Sequence, residues 1–217
     1  CGGRVNLLPG VSPDLFLSNN LAIVGSSGNL LSNNHGEKID EFDEVIRFNR
    51  APTYGYENKV GSKTTLRIVN NHVFNNNDIS SEGYTNQPKD FVRNLRDTRI
   101  LYFASDLAPW NSRVANTHQS NKLFLYDYSN TESIKTYFGY PDDKFPTLGV
   151  GIIFLSVIMG SKPVLFGFDD INNTEQACTR SHYWEERPDS QDTYHGISFE
   201  KLLISKLADQ NFVQIYK

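Results

Sequence analysis

No apolar run in this chain is long enough to cross a bilayer. The longest, GVGIIFLSVIMG at 149–160, falls well short of the roughly 20 residues that a spanning helix needs. Cysteine is scarce: Cys1 sits at the terminus and Cys178 in the polar stretch INNTEQACTR, a placement that argues against a structural disulfide. No cluster of Lys and Arg could track a phosphate backbone, and with a net charge of -4 and a pI near 5.7 nucleic acid is not an expected partner. Low-complexity linkers and internal repeats are also missing. The 217 residues therefore read as one domain over 1–217, with 1–20 as a peripheral N-terminal segment. Because the chain opens on Cys1 rather than Met, it is expected to be a piece of something longer, and membrane association is not visible in this segment. The tripeptide Asn172-Asn173-Thr174 is a formal glycosylation sequon, a pattern too common by chance to place a protein.

What is present is a recurrence of short β-branched or aromatic runs. They are LAIVG at 21–25, EVIRFN at 44–49, TLRIVNN at 65–71, RILYFAS at 99–105, KLFLYDY at 122–128, PVLFGFD at 163–169 and FVQIY at 212–216. Several are continuously apolar rather than alternating, which suits strands buried on both faces of a mostly parallel sheet. Helices are expected at about 87–96, 131–139, 148–160 and 198–210, near cap or acid signals such as Thr131 with Glu132 and Ser198 with Glu200. The alternation predicts an α/β fold with helices on both faces of an approximately seven-stranded sheet. Residues 72–88 and 106–121 lack apolar periodicity and read as long surface loops, which are candidate recognition elements. Their aromatics Phe74, Tyr84 and Trp110 read as a small satellite core in preference to a stacking surface for a ligand.

Four motifs carry chemistry. After LAIVG, the residues Ser26, Ser27, Gly28 and Asn29 form a turn at the carboxyl end of a strand, where open α/β sheets bind ligands and where backbone N–H groups can meet an anion. A plain strand-to-helix turn is the alternative for this segment alone. It is followed by RFNRAP, with Arg47 and Asn49, and by VGSKTT at 60–65. In the second motif, residues 145–170, Pro146-x-x-Gly149 opens an apolar helix and PVLFGF closes as a strand, so that Thr147, Leu148 and Gly149 supply unsatisfied first-turn donors. The third is His182-Tyr183-Trp184-Glu185 and the fourth is His195 with Glu200. If a helix starts near Ser198, His195 lies on the loop just before it, and Glu200 lies where the helix dipole favours a carboxylate. The pair Asp169-Asp170 invites Mg²⁺, but a solvated turn or cap is preferred, so no metal is expected.

In this order the motifs resemble the L, S, third and VS motifs of the eukaryotic-type sialyltransferases, over roughly residues 21 to 200. That resemblance implies a Rossmann-like, GT-A-like domain that moves a 2-keto sugar acid from a CMP-sugar donor to a glycan hydroxyl, inverting the anomeric centre without a metal or other cofactor. It further implies that His195 is the general base and that His182 stabilises the departing phosphate. Nucleotide contacts would come from Ser26, Ser27, Gly28, Asn29, Asn49, Thr147, Leu148 and Gly149, supported by Tyr183, Glu185 and Glu200. The chain departs from the family at Ser26, where asparagine is usual. It also lacks the paired cysteines that animal members carry, whose positions fall close to Leu21 and Gly160. Their loss favours a cytoplasmic enzyme, with the Golgi lumen implied instead if an anchor precedes the chain.

Three alternatives stay open. A CMP-Kdo-dependent transferase would use the same nucleotide and a similar 2-keto acid. A non-catalytic glycan- or nucleotide-binding domain would keep the fold without the reaction. A nicotinamide-dependent oxidoreductase ranks last, because no acidic residue follows the second strand to hold a ribose.

Overall fold

Leu21, Ala22, Ile23 and Val24 are each at most 1% exposed, a burial that only a strand covered on both faces achieves. The computed structural model describes residues 18–70, 99–104, 123–127, 129–168, 182–184 and 195–216. Its strands are β1 (Leu21–Val24), β2 (Glu44–Phe48), β3 (Leu66–Asn70), β4 (Arg99–Ala104), β5 (Leu123–Asp127), β6 (Val164–Phe166) and β7 (Gln214–Tyr216). They form one seven-stranded sheet in the order β5-β4-β3-β2-β1-β6-β7. Every pairing is parallel.

The α-helices among the described residues are α1 (Gly36–Asp40), α2 (Glu57–Val60), α3 (Ser129–Phe138), α4 (Leu148–Ile158) and α5 (Ile197–Asp209), with a 3-10 turn at Gly28–Ser32. Parallel crossovers are right-handed, so connections that step one way along the sheet cover one face and those that step the other way cover the opposite face. From β1 to β5 the chain steps in one direction, and Ile39 of α1 and Val60 of α2 pack with Ala22, Val24 and Val45. After β5 it returns past β1, and α3, α4 and α5 place Ile134, Ile152, Ile153 and Leu203 against Leu21, Ile23, Ile46 and Leu66. Alternate residues of β1 thus enter two different cores. The expected helices on both faces are present.

The seven expected strands all form, most of them trimmed by a residue at an end. The sixth is shortened most, because Gly167 takes φ 73 and turns the chain where a Cβ would lie 2.8 Å from Leu30. Helix α3 begins at Ser129, two residues before the expected start, so Thr131 lies inside it rather than at its cap. Helix α4 stops at Ile158 because Gly160 takes φ 84. Ser198 likewise lies inside α5, whose N-cap is Gly196. The 3-10 turn, α1 and α2 are unanticipated; each is too short to show a 3.6-residue period. The expected helix at 87–96 and the loops at 72–88 and 106–121, with Phe74, Tyr84 and Trp110, lie outside the described residues. Among the described residues no helix is long and apolar enough to cross a membrane.

Two glycines let α1 and α2 touch backbone to backbone. A Cβ on Gly36 would lie 1.8 Å from the Glu57 carbonyl oxygen, and one on Gly61, which also has φ 75, would lie 2.5 Å from Asp40 Oδ1. The contact is clasped by Asp40, whose carboxylate accepts from the Ser62 amide at 2.9 Å, the Ser62 hydroxyl at 2.8 Å and the Lys63 amide at 2.9 Å. Burial raises the Asp40 pKa, but these hydrogen bonds and the charge of Arg47 outweigh it and leave it below the usual value. The clasp therefore contributes fully above the ordinary carboxylate range and is lost as pH falls through the lower, folded value. Gly36→Ala is expected to lower the unfolding free energy by about 3 kcal/mol or more, because the obstacle is backbone that cannot rotate away. Gly55, at φ 82 with nothing within 4 Å of its would-be Cβ, serves as the control. Gly55→Ala should cost about 1 kcal/mol through φ alone, and urea denaturation of both variants checks the order.

Candidate active site

Strand order reverses between β1 and β6, so the chain leaves their carboxyl ends towards opposite faces of the sheet, the place where open α/β sheets form a ligand crevice. The helices preceding β6 and β7, α4 and α5, run back against those strands and present their N-termini at the same edge.

One side of the crevice is built by the turn after β1. The Gly25 amide donates to the Phe166 carbonyl at 2.8 Å, tying the two strand ends. Ser27 caps the 3-10 turn, its hydroxyl accepting from the Asn29 amide at 3.2 Å, while Gly28 is buried. Ser26 is half-buried and its carbonyl accepts from the Tyr183 amide at 2.9 Å. Asn49, at the end of β2, has φ 43, a left-handed conformation that asparagine tolerates. Its Oδ1 accepts from the Asn70 amide at 3.2 Å. The Arg67 guanidinium donates to the carbonyls of Asn49 at 2.9 Å and Ala51 at 3.1 Å, so a buried cation on β3 fixes the turn that carries Asn49.

Arg47 does the same for the next loop, donating to the carbonyls of Val60 at 2.6 Å and Lys63 at 3.1 Å and to the Thr64 hydroxyl at 3.0 Å. Burial lowers both guanidinium pKa values to about 10, which leaves both charged at neutral pH. Tyr183 packs under this frame, fully buried, its hydroxyl donating to the Pro52 carbonyl and its ring edge-on to Tyr56 at 5.1 Å. Burial pushes its phenol up to about 12, against the opposing pull of Arg47 and Arg67. The next residue, Trp184, stacks on His182 at 4.6 Å. The third motif is therefore pinned to the turn after β1 and to the loop after β2, and His182 is half-exposed beside them.

The other side is built by two helix N-termini that share one carboxylate. Thr147 is the N-cap of α4, its hydroxyl accepting from the Val150 amide at 3.3 Å. Its own amide and hydroxyl donate to Glu200 of α5 at 2.6 and 2.7 Å, and the Tyr140 hydroxyl donates to the same carboxylate at 2.8 Å. Glu200 is 5% exposed. Burial raises its pKa, partly offset by the bonds from Thr147 and Tyr140 and by His195. Glu200 does lie in the first turn of α5, where the dipole favours a carboxylate, and it is in addition a buried acceptor that joins two helices. His195 forms a parallel bridge with Phe145 and places Nδ1 2.8 Å from the Phe145 carbonyl. A carbonyl only accepts, so Nδ1 carries the proton and the basic lone pair resides on Nε2.

Phe168 joins the two sides. A Cβ on Gly25 would lie 3.1 Å from its ring and one on Gly149 would lie 3.3 Å from it. Leu148 instead packs on the core. Glu185 and the pair Asp169-Asp170 lie outside the described residues, as do Cys1 and Cys178. Among the described residues no group of His, Cys, Asp and Glu could hold a metal ion. Sequence reasoning missed Tyr140, Arg67 and Phe168. Arg67 had a visible signal, a charge inside the apolar run TLRIVNN; the other two had none.

The reversal of strand order, with helices on both faces of the parallel sheet, defines a doubly wound α/β protein. The profile of glycosyltransferase family 29 (sialyltransferase) matches residues 18–212, and the chain belongs to that family. It is 28% identical over 213 residues to beta-galactoside alpha-2,6-sialyltransferase 2 of Rattus norvegicus, covering 86% of this chain and 38% of the rat protein. It is 26% identical over 204 residues to CMP-N-acetylneuraminate-beta-galactosamide-alpha-2,3-sialyltransferase 1 of Homo sapiens, covering 90% and 58%. The chain thus spans well under two thirds of either relative. A crystal structure of a mammalian sialyltransferase shares the fold with a TM-score of 0.65 at 23% identity, covering 91% of this chain and 68% of that one.

Removing the shared carboxylate should unlock the second side. Glu200→Ala strands Thr147 and Tyr140 donors and is expected to cost about 3 kcal/mol. A carboxyl whose folded pKa is raised binds more protons folded than unfolded. Its contribution is therefore full below the ordinary value of 4.5 and falls as pH rises through the folded value. Glu200→Gln should lose that dependence, and its urea stability at pH 5 and pH 8 should differ less than the wild type's.

Proposed function

We propose that this chain is the catalytic part of a sialyltransferase, moving sialic acid from CMP-sialic acid to a glycan hydroxyl with inversion and without a metal. Membership of family 29 supports the class of reaction. The name of the human relative suggests the donor nucleotide, and that of the rat relative the galactoside type of acceptor. The observation that carries the reading is His195, held through Nδ1 to the Phe145 carbonyl so that Nε2 is the basic atom.

In this reading the acceptor oxygen bonds to the anomeric carbon as the bond from that carbon to the phosphate oxygen breaks. Nε2 of His195 takes the acceptor proton, and CMP leaves with the bonding electrons. The anomeric carbon is tertiary and bears a carboxylate, so the transition state is loose and oxocarbenium-like. The protein's work is then positioning and stabilisation of the leaving phosphate. His182 is assigned to that phosphate. The turn Ser26, Ser27, Gly28 and Asn29, with Asn49, is assigned to the nucleotide. At the start of α4 the Val150 amide is capped by Thr147 and the Thr147 amide is taken by Glu200. The first-turn donors proposed for the phosphate are therefore the amides of Leu148 and Gly149.

His195→Ala is expected to reduce turnover by about 10² to 10⁴ fold with CMP affinity nearly unchanged. His182→Ala should weaken CMP binding and slow transfer together. Both are read by CMP release and by calorimetric titration with CMP, using CMP-sialic acid and CMP-Kdo in parallel with a panel of galactoside acceptors. Full activity of His195→Ala removes it from the base role. Transfer only from CMP-Kdo changes the sugar, and CMP binding without transfer from either donor makes the domain non-catalytic. Chelation by EDTA should leave the rate unaltered.

A further inference from the structure

The segment between α3 and α4 places a side chain at the point where the Phe145 and His195 strands of chain meet. Tyr140 is 4% exposed. Its hydroxyl lies 2.8 Å from Glu200 Oε1, 3.2 Å from the Phe145 carbonyl and 3.1 Å from the Gly196 amide. The amide donates to it. Its single proton goes to the carboxylate, the shorter and charged acceptor. The ring is held edge-on by Phe199 at 4.9 Å, and it touches Gly196, where a Cβ would lie 3.2 Å from two ring carbons and 3.0 Å from the hydroxyl oxygen.

This one oxygen bonds the residue next to His195 and also the carboxylate that holds the Thr147 amide, two residues beyond Phe145. It therefore sets the spacing of the two segments across which His195 Nδ1 reaches the Phe145 carbonyl. We propose that Tyr140 is a positioning residue for His195, fixing the orientation and tautomer of its imidazole without touching the substrate. The proposal rests on the reading of His195 as the base. The nucleotide contacts assigned above do not include Tyr140, so its loss should act on turnover and not on the affinity for CMP.

The test is Tyr140→Phe in the full chain, which keeps the ring and removes the oxygen. The expected result is a fall in kcat of about 10 to 100 fold, the cost of a misplaced group. KM for CMP-sialic acid and Kd for CMP should stay within about twofold of wild type, since uniform binding is untouched. Nitrogen-15 spectra of histidine-labelled protein, with the His195 signals assigned through His195→Ala, give a readout independent of catalysis. Wild type should show the Nδ1–H form, and Tyr140→Phe a shift towards the other tautomer. Wild-type kcat, an unchanged His195 spectrum, or a loss of CMP affinity in step with kcat would each overturn the proposal. A wild-type chain that transfers nothing from CMP-sialic acid would overturn the functional reading instead, and the imidazole spectrum would still decide the role of Tyr140. If Tyr140→Phe is unfolded at the assay temperature, Gly196→Ala carries the same test. It retains the hydrogen-bonding groups and presses on the ring by a few tenths of an ångström.

Discussion

A single buried carboxylate holds one side of the candidate site together. Glu200 takes both donors of Thr147 and the hydroxyl of Tyr140, and so locks the first turn of α5 to the first turn of α4. Each helix start leaves amides in need of acceptors, and here one side chain from the second helix serves the cap residue of the first. The same link sets Phe145 opposite His195. Neither helix alone would fix the imidazole; their shared acceptor does.

The opposite side of the crevice is organised by cations rather than a carboxylate. Arg47 and Arg67 are buried, point to backbone carbonyls, and hold the two ends of the β2–β3 connection in place, Arg67 at Asn49 and Ala51 and Arg47 at Val60 and Lys63. Guanidinium suits this work because its planar donors reach several carbonyls at once and its charge survives desolvation. Tyr183 lies beneath these loops and carries His182 to the edge. The two histidines thus arrive on separately braced frames, with Phe168 between Gly25 and Gly149 as the contact that sets the frames against each other.

Much of the sheet was legible in the sequence because strands covered on both faces favour continuously apolar runs, as LAIVG is. The loop position of His195 was legible from its place ahead of an amphipathic run. The short helices were not, since four or five residues carry no period. That the Ser27 hydroxyl accepts from the Asn29 amide as a cap was not legible, because a serine in a glycine turn does not say which neighbouring amide it will meet. Glu200 read as a dipole partner, since its actual donors lie 53 and 60 residues away in the chain. Tyr140 and Phe168 act through pairings of the same long-range kind, and a lone aromatic in sequence does not say what its edge or hydroxyl will meet.

On the proposed function, cytidine monophosphate sits at the reversal between β1 and β6, between these two frames. A crystal structure with that nucleotide bound tests it most directly. The phosphate is expected between the Gly28–Ser32 turn and the start of α4, within hydrogen-bond reach of His182, with Nε2 of His195 facing the cleaved bond from the far side. A nucleotide seated away from the carboxyl ends of β1 and β6, or an imidazole of His195 directed out of that crevice, would contradict it.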